Sequence, residues 1–217
     1  MGNGALDKII KSIVDGDKGT AEDAAKEALR IGIHPDEIVK SLKKGMDENW
    51  SRTTEFFLPP RYAAAAAASS VIDVLRSHFV RTEKRNGAGK VVIGVVEGDN
   101  HDLGKNLVKV MLEAAGYDVY DLGRNVPKYQ YLDKINEVKA DICALSATMT
   151  PSLYKLRETI DVIVKNETKV KLLVGGLSVN PSSVKTFGAH AYGQNETEAA
   201  KVVTELLRGG LHKNSPK

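Results

Sequence analysis

Two rhythms of apolar residues divide the chain near residue 90. Before it, Leu6, Ile9, Ile10, Ile13 and Val14 recur at helical spacing until Asp15-Gly16-Asp17 breaks the pattern. A second helix is expected over 21–29, capped by Thr20 and stopped at Ile31-Gly32. A third opens at Pro35 and turns Ile38, Val39, Leu42 and Met46 inward. The fourth follows Leu58-Pro59-Pro60 and carries Ala64, Ala68, Val71, Ile72, Leu75 and Phe79. Helices joined by such short links predict a small four-helix bundle over 1–83. The alanine run from Ala63 to Ala68 has two readings. Alanine is the best helix former, and its small side chain also admits a close neighbour, whether a helix or a large flat ligand.

After a charged and then glycine-rich stretch, read as a linker over 84–89, the rhythm changes. Short apolar runs at 91–96, 118–122, 141–146, 170–174 and 189–192 alternate with helical patterns at 102–115, 127–139, 151–165, 181–187 and 195–208. Runs apolar at every position read as strands buried on both faces, so 90–217 is expected to form one parallel α/β domain with right-handed crossovers. The spacing favours the flavodoxin-like strand order 2-1-3-4-5. That order brings the loops after strands one, three and four to one edge of the sheet, where ligands of such folds bind. Those loops carry Asp99, His101, Asp102 and Gly104, then Ser146 and Thr148, then Gly175 and Gly176. Taken singly, a loop histidine is solvated, a serine caps a helix and a glycine pair ends a strand. Their convergence is what those separate readings leave unexplained.

Composition narrows the chemistry. Lys and Arg number 31 against 28 Asp and Glu, a net charge of +3, and the lysines are scattered without interleaved aromatics, so no nucleic-acid partner is expected. Cys143 is the only cysteine, which excludes an internal disulfide and a thiolate metal site, and its apolar neighbours place it in a core. The amino terminus lacks the layout of a signal peptide, and no apolar run is long enough for a membrane span. A cytoplasmic protein without membrane contact is expected.

The segment Asp99-x-His101-x-x-Gly104 resembles the first part of the cobalamin-binding signature. Its second part, Ser146-Ala147-Thr148, follows after 41 residues, and Gly175-Gly176 after 26 more. All three parts stand in order at the ends of predicted strands, and the family shares the expected strand order. The resemblance implies that His101 is the metal ligand and binds cobalt through one ring nitrogen. Asp99 would hold the other nitrogen, and Ser146 would hydrogen-bond Asp99, completing a His-Asp-Ser relay. Asp102, Gly104, Thr148, Gly175, Gly176 and Gly193 would border the cofactor and its nucleotide tail.

The amino-terminal module resembles the helical domain of small corrinoid proteins of methyltransferase systems, through Gly45-Met46 and Phe57-Leu58-Pro59. Pro60-Arg61 stands where that family usually has an acidic residue after the proline. The resemblance implies a methyl carrier of the methylamine, methanol or methoxyaromatic type. Such a carrier accepts a methyl group on cobalt(I) from a substrate-specific methyltransferase and gives it to a second methyltransferase, with tetrahydrofolate or coenzyme M as acceptor. A reductive activase would rescue oxidised cobalt. Trp50, Phe56, Phe57 and Leu58 would face the upper side of the corrin. Two other readings share the signature: a cobalamin-dependent sensor, and the small subunit of an adenosylcobalamin mutase, which lacks the helical module.

Overall fold

The computed structural model describes residues 3–52, 59–82 and 89–208, and the chain divides into a helical unit, Met1–Thr82, and an α/β unit, Glu83–Lys217. The helical unit consists of α1 (Asn3–Asp15), α2 (Lys18–Arg30), α3 (Pro35–Arg52) and α4 (Pro59–Thr82). Its core is aliphatic in α1 and α3, where Ile9, Ile13, Ile38, Val39 and Leu42 are buried. In α2 the buried face is alanine throughout, Ala21, Ala24, Ala25 and Ala28, and it packs on α4, where Ala64, Ala67 and Ala68 are buried. The alanine run therefore serves the close approach of a helix. Met46 is half-buried, and its neighbour Gly45 lies where a Cβ would come within 2.9 Å of Ile13 Cβ.

The cap of α2 differs from the expectation. Asp17, not Thr20, precedes the first turn, and its carboxylate accepts from both the Thr20 N–H (3.0 Å) and the Thr20 hydroxyl (2.6 Å). A carboxylate can take both donors at once, so the helix starts at Lys18, three residues earlier than a threonine cap would set it. Phe56, Phe57, Leu58 and residues 84–88 of the expected linker lie outside the described residues, as do the side chains of Trp50 and Phe79.

In the α/β unit the elements alternate: β1 (Lys90–Val95), α5 (Leu103–Ala114), β2 (Asp118–Asp121), α6 (Lys128–Val138), β3 (Ile142–Ser146), α7 (Ser152–Lys165), β4 (Lys171–Gly175), α8 (Pro181–Phe187), β5 (Ala191–Gly193) and α9 (Glu196–Leu207). The sheet is all-parallel in the order β2-β1-β3-β4-β5, as expected. Both faces are covered. Val91, Ile93, Ile142, Ala144 and Leu173 pack beneath α5 and α9, with Leu112, Val202, Val203 and Leu206. Val92, Cys143, Leu145, Leu172 and Val174 face α6 and α7, with Tyr131, Leu156, Ile160 and Ile163. Alternate residues of each strand enter opposite cores, which is why the strands read as unbroken apolar runs. Cys143 is fully buried, and burial pushes its thiol up, as befits a packing residue.

The register fixes where the loops begin. Val95 pairs with Ser146, Ser146 with Gly175 and Gly175 with Gly193, so four strands end in one row. Parallel strands ending level deliver their following loops side by side, however far apart they are in sequence.

Candidate cofactor-binding site

The loop from β1 to α5 is organised by a carboxylate. Asp99 is fully buried, and its Oδ1 accepts from the His101 N–H at 3.0 Å and lies 2.8 Å from His101 Nδ1. Its Oδ2 accepts from the Thr148 N–H (2.6 Å), the Met149 N–H (3.1 Å) and the Ser152 hydroxyl (3.0 Å). Burial alone pushes the Asp99 carboxyl up. The N–H groups of Thr148, His101 and Met149 and the His101 ring outweigh it and hold the carboxyl at about 2. Asp99 is thus an anion at neutral pH and can only accept.

That fixes the histidine tautomer. An acceptor at 2.8 Å from Nδ1 requires Nδ1 to carry the proton, so in the neutral ring the lone pair is on Nε2. The ring is 57% exposed, and Nε2 has no partner among the described residues. The loop therefore presents one imidazole nitrogen outward, with its geometry set from behind.

The hydroxyl on Asp99 is not the expected one. Ser146 is the last residue of β3, half-buried, and Asp99 takes its hydroxyl from Ser152 instead, the buried first residue of α7. Between them the chain turns through Ala147 to Pro151, pointing the Thr148 and Met149 amides at Asp99 and bringing Ser152 in behind them. The signal in sequence was Thr150-Pro151-Ser152, a hydroxyl just after a proline at a helix start. Thr148 takes part through its backbone, donating to Asp99 while its carbonyl accepts from Ser178 Oγ at 2.8 Å.

The other expected residues fall as follows. Asp102 is half-buried at the head of α5, and its side chain makes no capping bond. Gly104, one residue into α5, is exposed, and a Cβ there would meet nothing within 4 Å. Gly176 has φ +110°, and a Cβ on it would lie 2.2 Å from the Ala147 carbonyl oxygen, so the loop after β4 lies directly on the loop after β3. Gly193 is the last residue of β5, level with Gly175. Its missing Cβ makes room for Ala199 of α9, whose Cβ would be 2.8 Å away.

Two further supports that sequence reasoning missed come from the end of β2 and the loop after it. Asn125, with φ 55°, donates its N–H to the Asp99 carbonyl (3.0 Å) and accepts the Gly98 N–H on Oδ1 (2.7 Å). Asparagine is among the few side chains that enter this left-handed region readily. Lys105, buried in α5, places Nζ 2.6 and 2.7 Å from the two Asp121 oxygens, and Lys109 Nζ lies 3.1 Å from Oδ2. Burial pushes Asp121 up, but these cations and the Gly123 N–H hold it below the usual carboxylate range. The pair ties the first turn of α5 to the end of β2.

One outward imidazole nitrogen, backed by a buried anion, suits a metal that brings its remaining ligands in a macrocycle. The family comparisons agree. Residues 89–203 match the B12 binding domain. The chain is 34% identical over 207 residues to the dimethylamine corrinoid protein of Methanosarcina barkeri, covering 93% of this chain and 97% of that one. Its structure superposes on the monomethylamine corrinoid protein of Methanosarcina barkeri with a TM-score of 0.85 at 29% identity, covering 95% and 100% of the two chains. A chain of the methanol:cobalamin methyltransferase complex from Methanosarcina barkeri matches at 30% identity with a TM-score of 0.56, covering 96% of this chain and 81% of that one.

Proposed function

This chain belongs to the B12-binding corrinoid proteins, and on that premise we propose that it is the methyl carrier of a methyltransferase system. It takes a methyl group from a substrate-specific methyltransferase and hands it to a second methyltransferase, with tetrahydrofolate or coenzyme M as acceptor. Relatives named for dimethylamine and monomethylamine favour a methylated amine as donor. A reductive activase is the third partner, and the system is cytoplasmic.

The observation that carries this reading is the His101–Asp99 pair. When bound, cobalamin supplies a cobalt centre that accepts a methyl group and releases it again. Asp99 keeps the imidazole proton on Nδ1, leaving Nε2 as the nitrogen that would hold the cobalt. Ser152 and the Thr148 and Met149 amides hold Asp99 in place, so the ring is oriented before the cofactor arrives. Asp102, Gly104, Ser146, Thr148, Gly175, Gly176 and Gly193 stand along the same edge of the sheet, and we assign the borders of the macrocycle and its tail to them.

The test is reconstitution. The purified chain, loaded with cobalamin and reduced to the cobalt(II) form, should retain the cofactor through gel filtration. With the chain's histidines labelled with nitrogen-15, its electron paramagnetic resonance spectrum should carry the doublet splitting of one histidine nitrogen, distinct from the triplet that the cofactor's own nitrogen-14 base would give. His101→Gly should abolish that splitting. Loss of cofactor from the wild-type chain, or a splitting that survives in the variant, would overturn the assignment.

A further inference from the structure

We propose that Ser178, in the loop after β4, is a positioning residue for His101 that acts through the peptide group between Thr148 and Met149. The proposal rests on the reading of His101 as the cofactor ligand. That peptide is bonded at both ends. Its carbonyl accepts from Ser178 Oγ at 2.8 Å, and its N–H, on Met149, donates to Asp99 Oδ2 at 3.1 Å. Asp99 Oδ1 in turn lies 2.8 Å from His101 Nδ1. A continuous chain runs from the Ser178 hydroxyl through one amide and one carboxylate to the ring.

The amide conducts because it is conjugated. A donor on the carbonyl oxygen draws electron density out of the nitrogen, and the N–H becomes a stronger donor. Asp99 is buried, so no solvent screens the effect. With Ser178 in place, more of the Asp99 charge is engaged on Oδ2 and less is left for the imidazole. Without it, Asp99 pulls harder on the Nδ1 proton and Nε2 becomes a better donor.

The loop that carries Ser178 also makes the connection conditional. Gly176 presses against the Ala147 carbonyl, and Leu177, between Gly176 and Ser178, is 90% exposed. A group settling against this loop meets Leu177 first, and any shift it causes alters the Ser178 bond. The loop after β4 thereby reports its occupancy to the metal ligand in the loop after β1.

The experiment uses the full chain, labelled with nitrogen-15 and free of cofactor, as wild type, Ser178→Ala and Ser178→Thr. Ser178→Ala should move the Met149 amide proton upfield, speed its hydrogen exchange several-fold and displace the His101 Nδ1 resonance. Ser178→Thr, which keeps the hydroxyl, should leave all three near wild type. Affinity for added cobalamin should change by about 5-fold in Ser178→Ala, the size of one hydrogen bond. Unchanged Met149 and His101 resonances in Ser178→Ala would overturn the proposal, as would a threonine variant displaced as far as the alanine one. The resonance measurements need no cofactor. A wild-type chain that fails to bind cobalamin would therefore refute the proposed function while the shifts still decided the Ser178 connection.

Discussion

Asp99→Asn is the substitution whose outcome the structure specifies most closely. The carboxylate accepts five bonds, three on Oδ2 from Thr148, Met149 and Ser152, and two on Oδ1 from the backbone and ring of His101. The asparagine amide must point its NH2 at one of the two sets. Aimed at Oδ2's position, it would confront two buried N–H groups and leave both without an acceptor, at about 1–3 kcal/mol each. Aimed at Oδ1's position, it strands only the His101 N–H, on the half-exposed side of the loop, and the ring can adapt. The second orientation wins by roughly 2 kcal/mol. In it the asparagine donates to Nδ1, so Nδ1 must give up its proton and Nε2 must carry it. The variant should fold, with unfolding free energy lowered by about 2 kcal/mol, yet present the wrong nitrogen. Cobalamin affinity should fall about 10–100-fold, as for loss of the partner that orients a metal-bound histidine. Denaturant unfolding of the cofactor-free chain gives the first number, and nitrogen-15 spectra of the neutral ring give the tautomer directly. A variant whose Nδ1 stays protonated, or whose affinity matches wild type, would refute the reasoning.

Four further outcomes follow from the same contacts. Ser152→Ala removes a buried donor to an anion and should cost about 1.5–3 kcal/mol in urea unfolding, whereas Ser146→Ala should cost under about 0.5 kcal/mol; the reverse order would restore Ser146 as the partner of Asp99. Lys105→Met leaves Asp121 with Lys109 as its one cation among the described residues and should destabilise by about 3 kcal/mol, while Lys105→Met with Asp121→Leu should recover at least half of that, as a double-mutant cycle would show. Tyr131 is fully buried with a hydroxyl that finds no partner among the described residues, so Tyr131→Phe should leave thermal stability unchanged or raise it by about 1 kcal/mol. His190 accepts the Leu172 N–H on Nδ1, and burial, with Lys171 adding, lowers its pKa below the ordinary 6.5. The unfolded chain then binds the proton more readily than the native one. Stability is therefore complete above pH 6.5 and declines as pH falls toward the lowered value, a decline that His190→Asn should flatten in unfolding curves taken across that range.

How much of this could be read from the sequence depended on the range of the interaction concerned. The β/α alternation was legible because parallel strands buried on both faces leave unbroken apolar runs, and even the seven-residue α8 falls where a short helical pattern was read, at 181–187. The convergence of the loops that carry His101, Ser146 and Gly175-Gly176 was legible for a related reason. Spacing between strand ends is conserved by the topology itself, and the level row Val95, Ser146, Gly175 and Gly193 turns that spacing into proximity. The partner of Asp99 was not legible, because it depends on the path of the chain between Ala147 and Pro151, and a linear reading takes the hydroxyl nearest the strand end. Lys105 falls within an amphipathic helix and reads as a solvent-facing lysine until β2 supplies Asp121. Asn125 lies in the loop after β2, which contributes nothing to the signature, yet it holds Gly98 and Asp99 from the far side.

These misses share a cause. Each is a side chain that acts on the backbone or charge of another loop rather than on a ligand, so neither periodicity nor motif spacing marks it. The outward face of such a site, one imidazole and a few glycines, has few chemical solutions and is written plainly in sequence. The inward face can be built from any donor that reaches, and Ser152, Asn125 and the Thr148–Met149 peptide are the ones this fold brings within 3.1 Å. A chain with the same three-part signature and a different β3–α7 turn would still present its histidine at the same strand end. It would hold that histidine with a different set of donors, and the tautomer preference and the response of the site to its neighbouring loop would differ accordingly.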